Sequence, residues 1–267
     1  MNILKITPAL ALFLVTTTVA APANDAFSTA RNRGQLVVGL QTVSPPYLAG
    51  AKFRTPDGLD TVVANQIAEQ LQLKLVTRQI GTDAEVSAQS PVGTDLQLVT
   101  LPDDVRAPRS STVIPTGYSS GTMAIMRTDT TIRNWTDLKG KVVCVVNAGR
   151  HSGIAASYGA IEQSYRAPAD SLLAMRTGEC DAAIQDSALL EQLIKLPEWK
   201  KFSSRLPIIK RSSLKMVIPA TDTASAKELK RLVAVWRGQH MLSRASTQAI
   251  RNMAFEVYLD QSVPDCH

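Results

Sequence analysis

Cysteine and histidine each occur only three times in 267 residues, and aromatic residues make up 5% of the chain. His151, His240 and His267 have no metal-ligand spacing to one another or to Cys144, Cys180 and Cys266, so the sequence predicts no metal centre. Neither G-x-x-x-x-G-K-[ST] nor G-x-G-x-x-G occurs, which removes the usual phosphate and dinucleotide cradles, and the expectation is no cofactor. After the first twenty residues no apolar run approaches the roughly 20 residues that span a bilayer. There is no internal repeat and no low-complexity segment.

What is present is an ordinary globular composition, 45% hydrophobic with a net charge of +6. Its length suffices for one large domain or two modest ones. The opening MNILKITPALALFLVTTTVA pairs a lysine with a short apolar run and then small residues, the layout of a secretory signal peptide. We assign residues 1–23 to it, with cleavage after Ala20 or Ala23. Export makes the cysteines disulfide candidates and argues against the nucleic-acid partner that net positive charge would otherwise suggest. The late basic residues, among them Lys200, Lys201, Arg205, Lys210 and Arg211, read as a solvated face.

GQLVVGL reads as a strand before the turn-rich SPPY. A helix follows, opened by Gly58 and Asp60, with Val63, Ile67 and Leu71 on one stripe, and KLVTRQI is a second strand. Strand, helix, strand at this spacing predicts a parallel sheet with ligands near the strand C-terminal ends. Gly81 to Gly93 has no clear period and reads as loop or irregular helix. TDLQLVTL is a strand, 103–120 is turn-rich, and TMAIMR is a strand leaving this half.

Trp135 and Leu138 should pack a short turn before the strand VVCVV. NAGRHSG then reads as a loop feeding a helix N-terminus. Asp170 is the expected cap of SLLAMRT, Gly178 its end, and CDAAIQ the next strand, running into Asp186 where a helix begins. Adjacent parallel strands would bring Cys144 to Cys180, a bridge contributing roughly 3–4 kcal/mol, and Cys266 is left over. SALLEQLIKL is helical until Pro197, and SLKMVIP is a returning strand. Ser225 and Glu228 fit a capping box for a helix with Leu229, Leu232, Val233 and Trp236 inward. A last helix covers 242–255.

Two strands crossing between halves divide the chain into a first lobe, 34–123 plus 220–267, and an inserted lobe, 124–219. The fold class is therefore α/β with two lobes. GQLVVGL, PPY and DGLDTVVANQIAEQL, followed by WTDLKGKVVCVV and GECDAAIQD, resemble the periplasmic solute-binding proteins of ABC transporters, in particular the polar amino-acid group with a two-crossing hinge (type II fold). The resemblance spans about Gly34 to Phe255.

It implies a ligand cleft between the lobes, a small carboxylate-bearing solute such as an amino acid, a membrane permease as partner, and a monomer in the periplasm. Position by position, Tyr47 matches the aromatic wall and Thr100 the hydroxyl-and-amide segment. Arg106 matches the arginine that holds the α-carboxylate, with Arg109 a second candidate for the same part, and Tyr118 is a further candidate for the cleft wall. Gly149 and Ser152 fall in the loop that contacts the same carboxylate, and Asp186 matches the acid that takes the α-ammonium. Two segments depart from the pattern. VIPTGYSSG replaces the usual Pro-Tyr pair, and GRHSG puts Arg150 and His151 where small hydroxyls belong.

Three enzymatic or non-transport readings compete. GYSSG, Gly117 to Gly121, matches the nucleophile elbow G-x-S-x-G, yet the residues after it read as strand rather than helix. His151 lacks an identifiable acid partner and reads as a loop residue. The same fold also carries cyclohexadienyl-type dehydratases and periplasmic partner proteins of quinoprotein dehydrogenases, and these are the alternatives to transport.

Overall fold

In a computed structural model the chain is described at residues 25–41, 43, 58–80, 93–103, 105, 108–147 and 149–259. Among these, nine strands make one sheet, in the order 74–79, 35–40, 96–102, 209–219, 111–126, 182–186, 142–146 and 161–165, with 204–205 paired to 111–126.

The first wing is the predicted βαβ unit. β1 (Gln35–Leu40) and β2 (Lys74–Gln79) run parallel, Gln35 opposite Lys74, and α2 (Leu59–Leu71) between them buries Val63, Ile67 and Leu71. β3 (Leu96–Pro102) adds in parallel on the other side of β1. A helix that the sequence pattern did not show, α1 (Ala26–Arg33), precedes β1 and buries only Phe27 and Ala30. Two apolar contacts in eight residues leave little periodic signal.

The centre of the sheet is an antiparallel pair, β4 (Ser111–Met126) and β9 (Ile209–Pro219). β4 is much longer than the strand expected from TMAIMR, because STVIPTGYSS is strand and not turn. Pro115, Gly117 and Gly121 disguise it. The register slips between Pro115 and Ser119 and again between Ser120 and Thr122, and Gly117 takes φ +96° within the first slip. Bulges of this kind bend and twist a strand without ending it. At Gly121 a Cβ would stand 2.4 Å from Ile208 Cγ2 and 2.9 Å from the Ile209 carbonyl oxygen, so only glycine lets β4 and β9 cross here. The G-x-S-x-G match therefore lies inside a strand and forms no nucleophile elbow.

The second wing holds β5 (Val142–Val146) parallel to β7 (Ala182–Asp186) and to β6 (Ile161–Tyr165). β6 escaped the sequence reading because it is a mostly exposed edge with no apolar alternation. Trp135–Leu138 is the expected short turn, with Trp135 and Leu138 buried. The loop after β5 does not feed an α-helix; it runs through turns into one 3-10 turn at Ala156–Tyr158. α3 (Pro168–Thr177) starts after Ala167, and Asp170 serves from inside the first turn, accepting the Ala167 N–H at 3.3 Å. Gly178 closes it at φ +88°. α4 (Ser187–Leu193) follows β7 directly, and β8 (Ser204–Arg205) is a two-residue addition.

Cys144 and Cys180 are disulfide-bonded, Cα atoms 5.8 Å apart, where β5 and β7 lie side by side. Cys266 lies outside the described residues.

α5 (Thr223–Gly238) turns Leu229, Leu232, Val233 and Trp236 inward as expected, but its cap is Asp222 and not Ser225. The Asp222 carboxylate accepts the Ser225 N–H at 2.9 Å and the Ala26 N–H at 2.9 Å, while the Ser225 hydroxyl accepts the Phe27 N–H at 3.3 Å. The pair thus caps α5 and docks α1 together. α6 (Met241–Leu259) is the last helix.

One core lies between the first wing and α1, α2 and α5. A second, built on Met123, Ile125, Leu172, Leu190 and Trp199, lies beneath the second wing. α6 belongs to both, with Met241 in the first and Ile250, Met253, Ala254 and Val257 in the second. The expectation that groups 220–267 with the first lobe thus covers a helix that packs on each half. Among the described residues no helix is long and apolar enough to cross a membrane.

Candidate functional site

The bends in β4 and β9 bring side chains of these two strands and of the second wing to one place. β4 contributes Tyr118, Ser120 and Thr122, β9 contributes Ser212, the loop after β5 contributes Arg150 and His151, and β7 ends on Asp186. Both β5 and β7 arrive there by their C-terminal ends, where a parallel sheet leaves a crevice. Thr122 stands opposite Asp186 in the β4–β7 ladder.

Arg150 is the hub. Its guanidinium forms an ion pair with Asp186, with side-chain exposures of 32% and 25%. Nη1 donates to Ser212 Oγ at 3.2 Å and Nε donates to His151 Nε2 at 3.4 Å. Burial lowers the Arg150 pKa from its ordinary value, and the charges of Tyr118 and Asp60 work against that shift. An arginine stays protonated regardless. Burial likewise raises the Tyr118 phenol, opposed by Arg150 and by a hydrogen bond with Ser120.

His151 is held neutral. Burial, and then repulsion by Arg150, push its pKa down to about 3. Because Nε2 accepts from Arg150, the ring proton sits on Nδ1 and is donated to Thr122 Oγ1 at 3.1 Å. Thr122, His151 and Asp186 thus fall in the order of a nucleophile, a base and an acid. The Asp186 Oδ1 to His151 Nε2 distance is 3.6 Å, beyond hydrogen-bond reach. An imidazole titrating near 3 is also a weak base at neutral pH, so the geometry suits binding better than proton transfer.

No family model matches the chain. It is 26% identical over 184 residues, 65% of its own length and 72% of the relative's, to a probable amino-acid ABC transporter-binding protein of Haemophilus influenzae. Among solved structures it matches AbpA of Streptococcus pneumoniae, an amino acid ABC transporter substrate-binding protein bound to L-arginine. That match has a TM-score of 0.56 and 17% identity over 85% of this chain and 99% of that one. It also matches the ancestral amino acid-binding protein AncCDT-1, a precursor of cyclohexadienyl dehydratase, at TM-score 0.56 and 16% identity over 85% and 100% of the two chains. The chain has the two-lobed fold of the amino-acid solute-binding proteins.

The sequence-predicted residues are distributed unevenly over this solute-binding fold. Tyr47 and Arg106 lie outside the described residues. Arg109 is exposed in the turn before β4. Thr100, in β3, has its N–H donated to Gln41 Oε1 at 2.7 Å. Gly149 and Ser152 serve their own loop: the Gly149 N–H and the Ser152 hydroxyl both donate to the Val146 carbonyl, each at 3.1 Å. Tyr118 and Asp186 are at the site, and Asp186 makes no side-chain cap to α4.

Sequence reasoning passed over Thr122, Ser212 and above all the pair Arg150 and His151, which it treated as a departure from the family pattern. The signal was visible: two bulky residues between Gly149 and Gly153, in the loop after a buried strand, are positioned to reach inward while the small residues turn the chain.

Proposed function

We propose that the protein is a periplasmic solute receptor. Exported by the signal peptide at 1–23, it acts as a monomer, closes lobe 1 (34–123 plus 220–267) against lobe 2 (124–219) on a small carboxylate-bearing solute, and hands the solute to the permease of an ABC transporter. One observation carries this reading. Polar groups of the β4–β9 pair, Tyr118, Thr122 and Ser212, meet Arg150 and Asp186 of the second wing where β4 and β9 link the two wings. A site built on the strands that link two wings couples occupancy to their relative movement. The names of its relatives make amino acids the first solutes to test.

The test is a thermal-shift panel of amino acids and organic acids, since a ligand selective for the native state raises stability by mass action. At least one member should raise the melting temperature, and Tyr118→Ala should weaken that ligand about tenfold, the effect of losing about 1.4 kcal/mol of contact. No shift with any member sinks the receptor reading in favour of a partner-protein role. AncCDT-1 keeps a second reading in view. Turnover of prephenate or arogenate would establish a dehydratase, against which the low basicity of His151 argues.

A further inference from the structure

α6 packs on both cores, and the residues it buries fix what it turns outward. Met241 enters the first core, and Ile250, Met253, Ala254 and Val257 enter the second. The opposite face carries Arg244, Gln248, Arg251, Phe255 and Tyr258, alternately four and three residues apart, so they form a single stripe about 21 Å long. All five are exposed, the two aromatic residues at 60% and 66%. Large apolar side chains left in water on neighbouring turns mark a contact surface more often than scattered single ones do. Here they stand next to cations. Arg244 and Arg251 line an open recess of about 320 Å³ together with Ser243, Thr247 and Gln248. Arg244 donates to the Gln239 carbonyl, a neutral acceptor, and among the described residues neither arginine meets a carboxylate. Glu256, the acidic residue of this helix, is half-buried to one side of the stripe and has a contact of its own. The stripe therefore carries two positive charges and no negative one.

We propose that this face of α6 docks the protein on a membrane surface containing anionic phospholipid, with Arg244 and Arg251 taking headgroup phosphates and Phe255 and Tyr258 entering the interface. Arginine forks match phosphate oxygens two at a time, and the hydroxyls of Ser243 and Thr247 in the same recess add donors. Aromatic rings settle at the boundary between headgroups and acyl chains, where the ring is dry and a phenol stays wet. Cations and apolar groups on one helix face act together there, the first attracted by the surface charge and the second by burial. A helix ridge is convex, and a fluid interface accommodates it without a shaped counterpart. The inference goes beyond the receptor reading and does not depend on the solute. In a receptor, such docking keeps the loaded protein beside its permease, and because α6 joins both cores it orients both wings at once.

The test is co-sedimentation of the exported chain, from Asn24 onward, with vesicles of phosphatidylcholine alone and of an equimolar mixture with phosphatidylglycerol. The wild type should bind only the mixture and leave it as sodium chloride is raised, because screening weakens exposed charges. Arg244→Gln/Arg251→Gln should weaken partitioning about twentyfold, or about fivefold for each charge, and Phe255→Ser/Tyr258→Ser about tenfold. All four side chains are exposed, so the urea midpoint of both variants should match the wild type. Lys227→Gln/Lys230→Gln removes the same charge from the exposed side of α5, which packs in the first core while the ring-bearing end of α6 packs in the second. It should leave partitioning nearly unchanged. Equal losses in the α5 and α6 charge variants mean general adsorption of a basic protein and overturn the proposal, as does failure of the wild type to bind the mixture. A loss in the arginine variant with none in the aromatic one overturns it in favour of an acidic protein partner. A concentration-dependent dimer that the aromatic variant abolishes overturns it in favour of a second copy of the chain.

Discussion

His151 is buried as a neutral imidazole with its pKa near 3, and this has a calculable effect on stability. In the unfolded chain the ring takes up a proton near its ordinary value of 6.5, while in the folded chain it does so only near 3. Between those values the unfolded state binds more protons, so stability is full above 6.5 and is lost as pH falls towards 3. One such group contributes a slope of about 1.4 kcal/mol per pH unit within that window. Urea denaturation at pH 4 to 6 should therefore show a shallower pH dependence for His151→Asn than for the wild type. Equal slopes would mean that the imidazole is already protonated in the folded protein. The same residue shows why sequence reasoning undervalued this loop. A lone histidine beside an arginine has no readable partner until β4 supplies Thr122.

Among the elements, α5 and the β5–β7 pair are each secured by one short-range device. Asp222 caps α5 and also holds the first amide of α1. Asp222→Ala should cost about 1–2 kcal/mol for the cap alone and more for the Ala26 N–H left without its acceptor, measured as a lowered urea midpoint. A loss under about 0.5 kcal/mol would show that Ser225 carries the cap after all. The Cys144–Cys180 bridge closes a loop of 36 residues. The double variant Cys144→Ala/Cys180→Ala should lose about 4 kcal/mol by the chain-entropy account, and a reductant should bring the wild type down to the variant while leaving the variant unchanged. Elements with a strong apolar period, β1, α2, β5 and α5, were legible in advance. Those without one, β6, α1 and the first half of β4, were not.

For the whole molecule, the two wings share the crossing of β4 and β9 and also α6, which starts in one core and ends in the other. That coupling predicts one unfolding transition. Trp236 reports the first core and Trp199 the second, so single-tryptophan forms should share a midpoint. Met253→Ala, a cavity in the second core, should cost about 2–4 kcal/mol and lower the midpoint seen at Trp236 equally. A shift confined to Trp199 would mean that the wings unfold separately. Gly121→Ala is the companion test at the crossing, where the added carbon meets Ile208 and the Ile209 carbonyl. It should destabilise by about 1–3 kcal/mol through overpacking.

The sequence by itself determined the α/β class, the parallel wings and the pairing of Cys144 with Cys180, because buried strands and amphipathic helices carry their burial as a local period. It also placed Asp186 at a strand end. Only the tertiary structure decided what Asp186 faces. Arg150 lies 36 residues away from it in sequence, and ion pairs between distant segments leave no periodic trace. The crossing of β4 and β9 brings these charges together, and the bulges and the close approach at Gly121 that allow the crossing looked in the sequence like a turn.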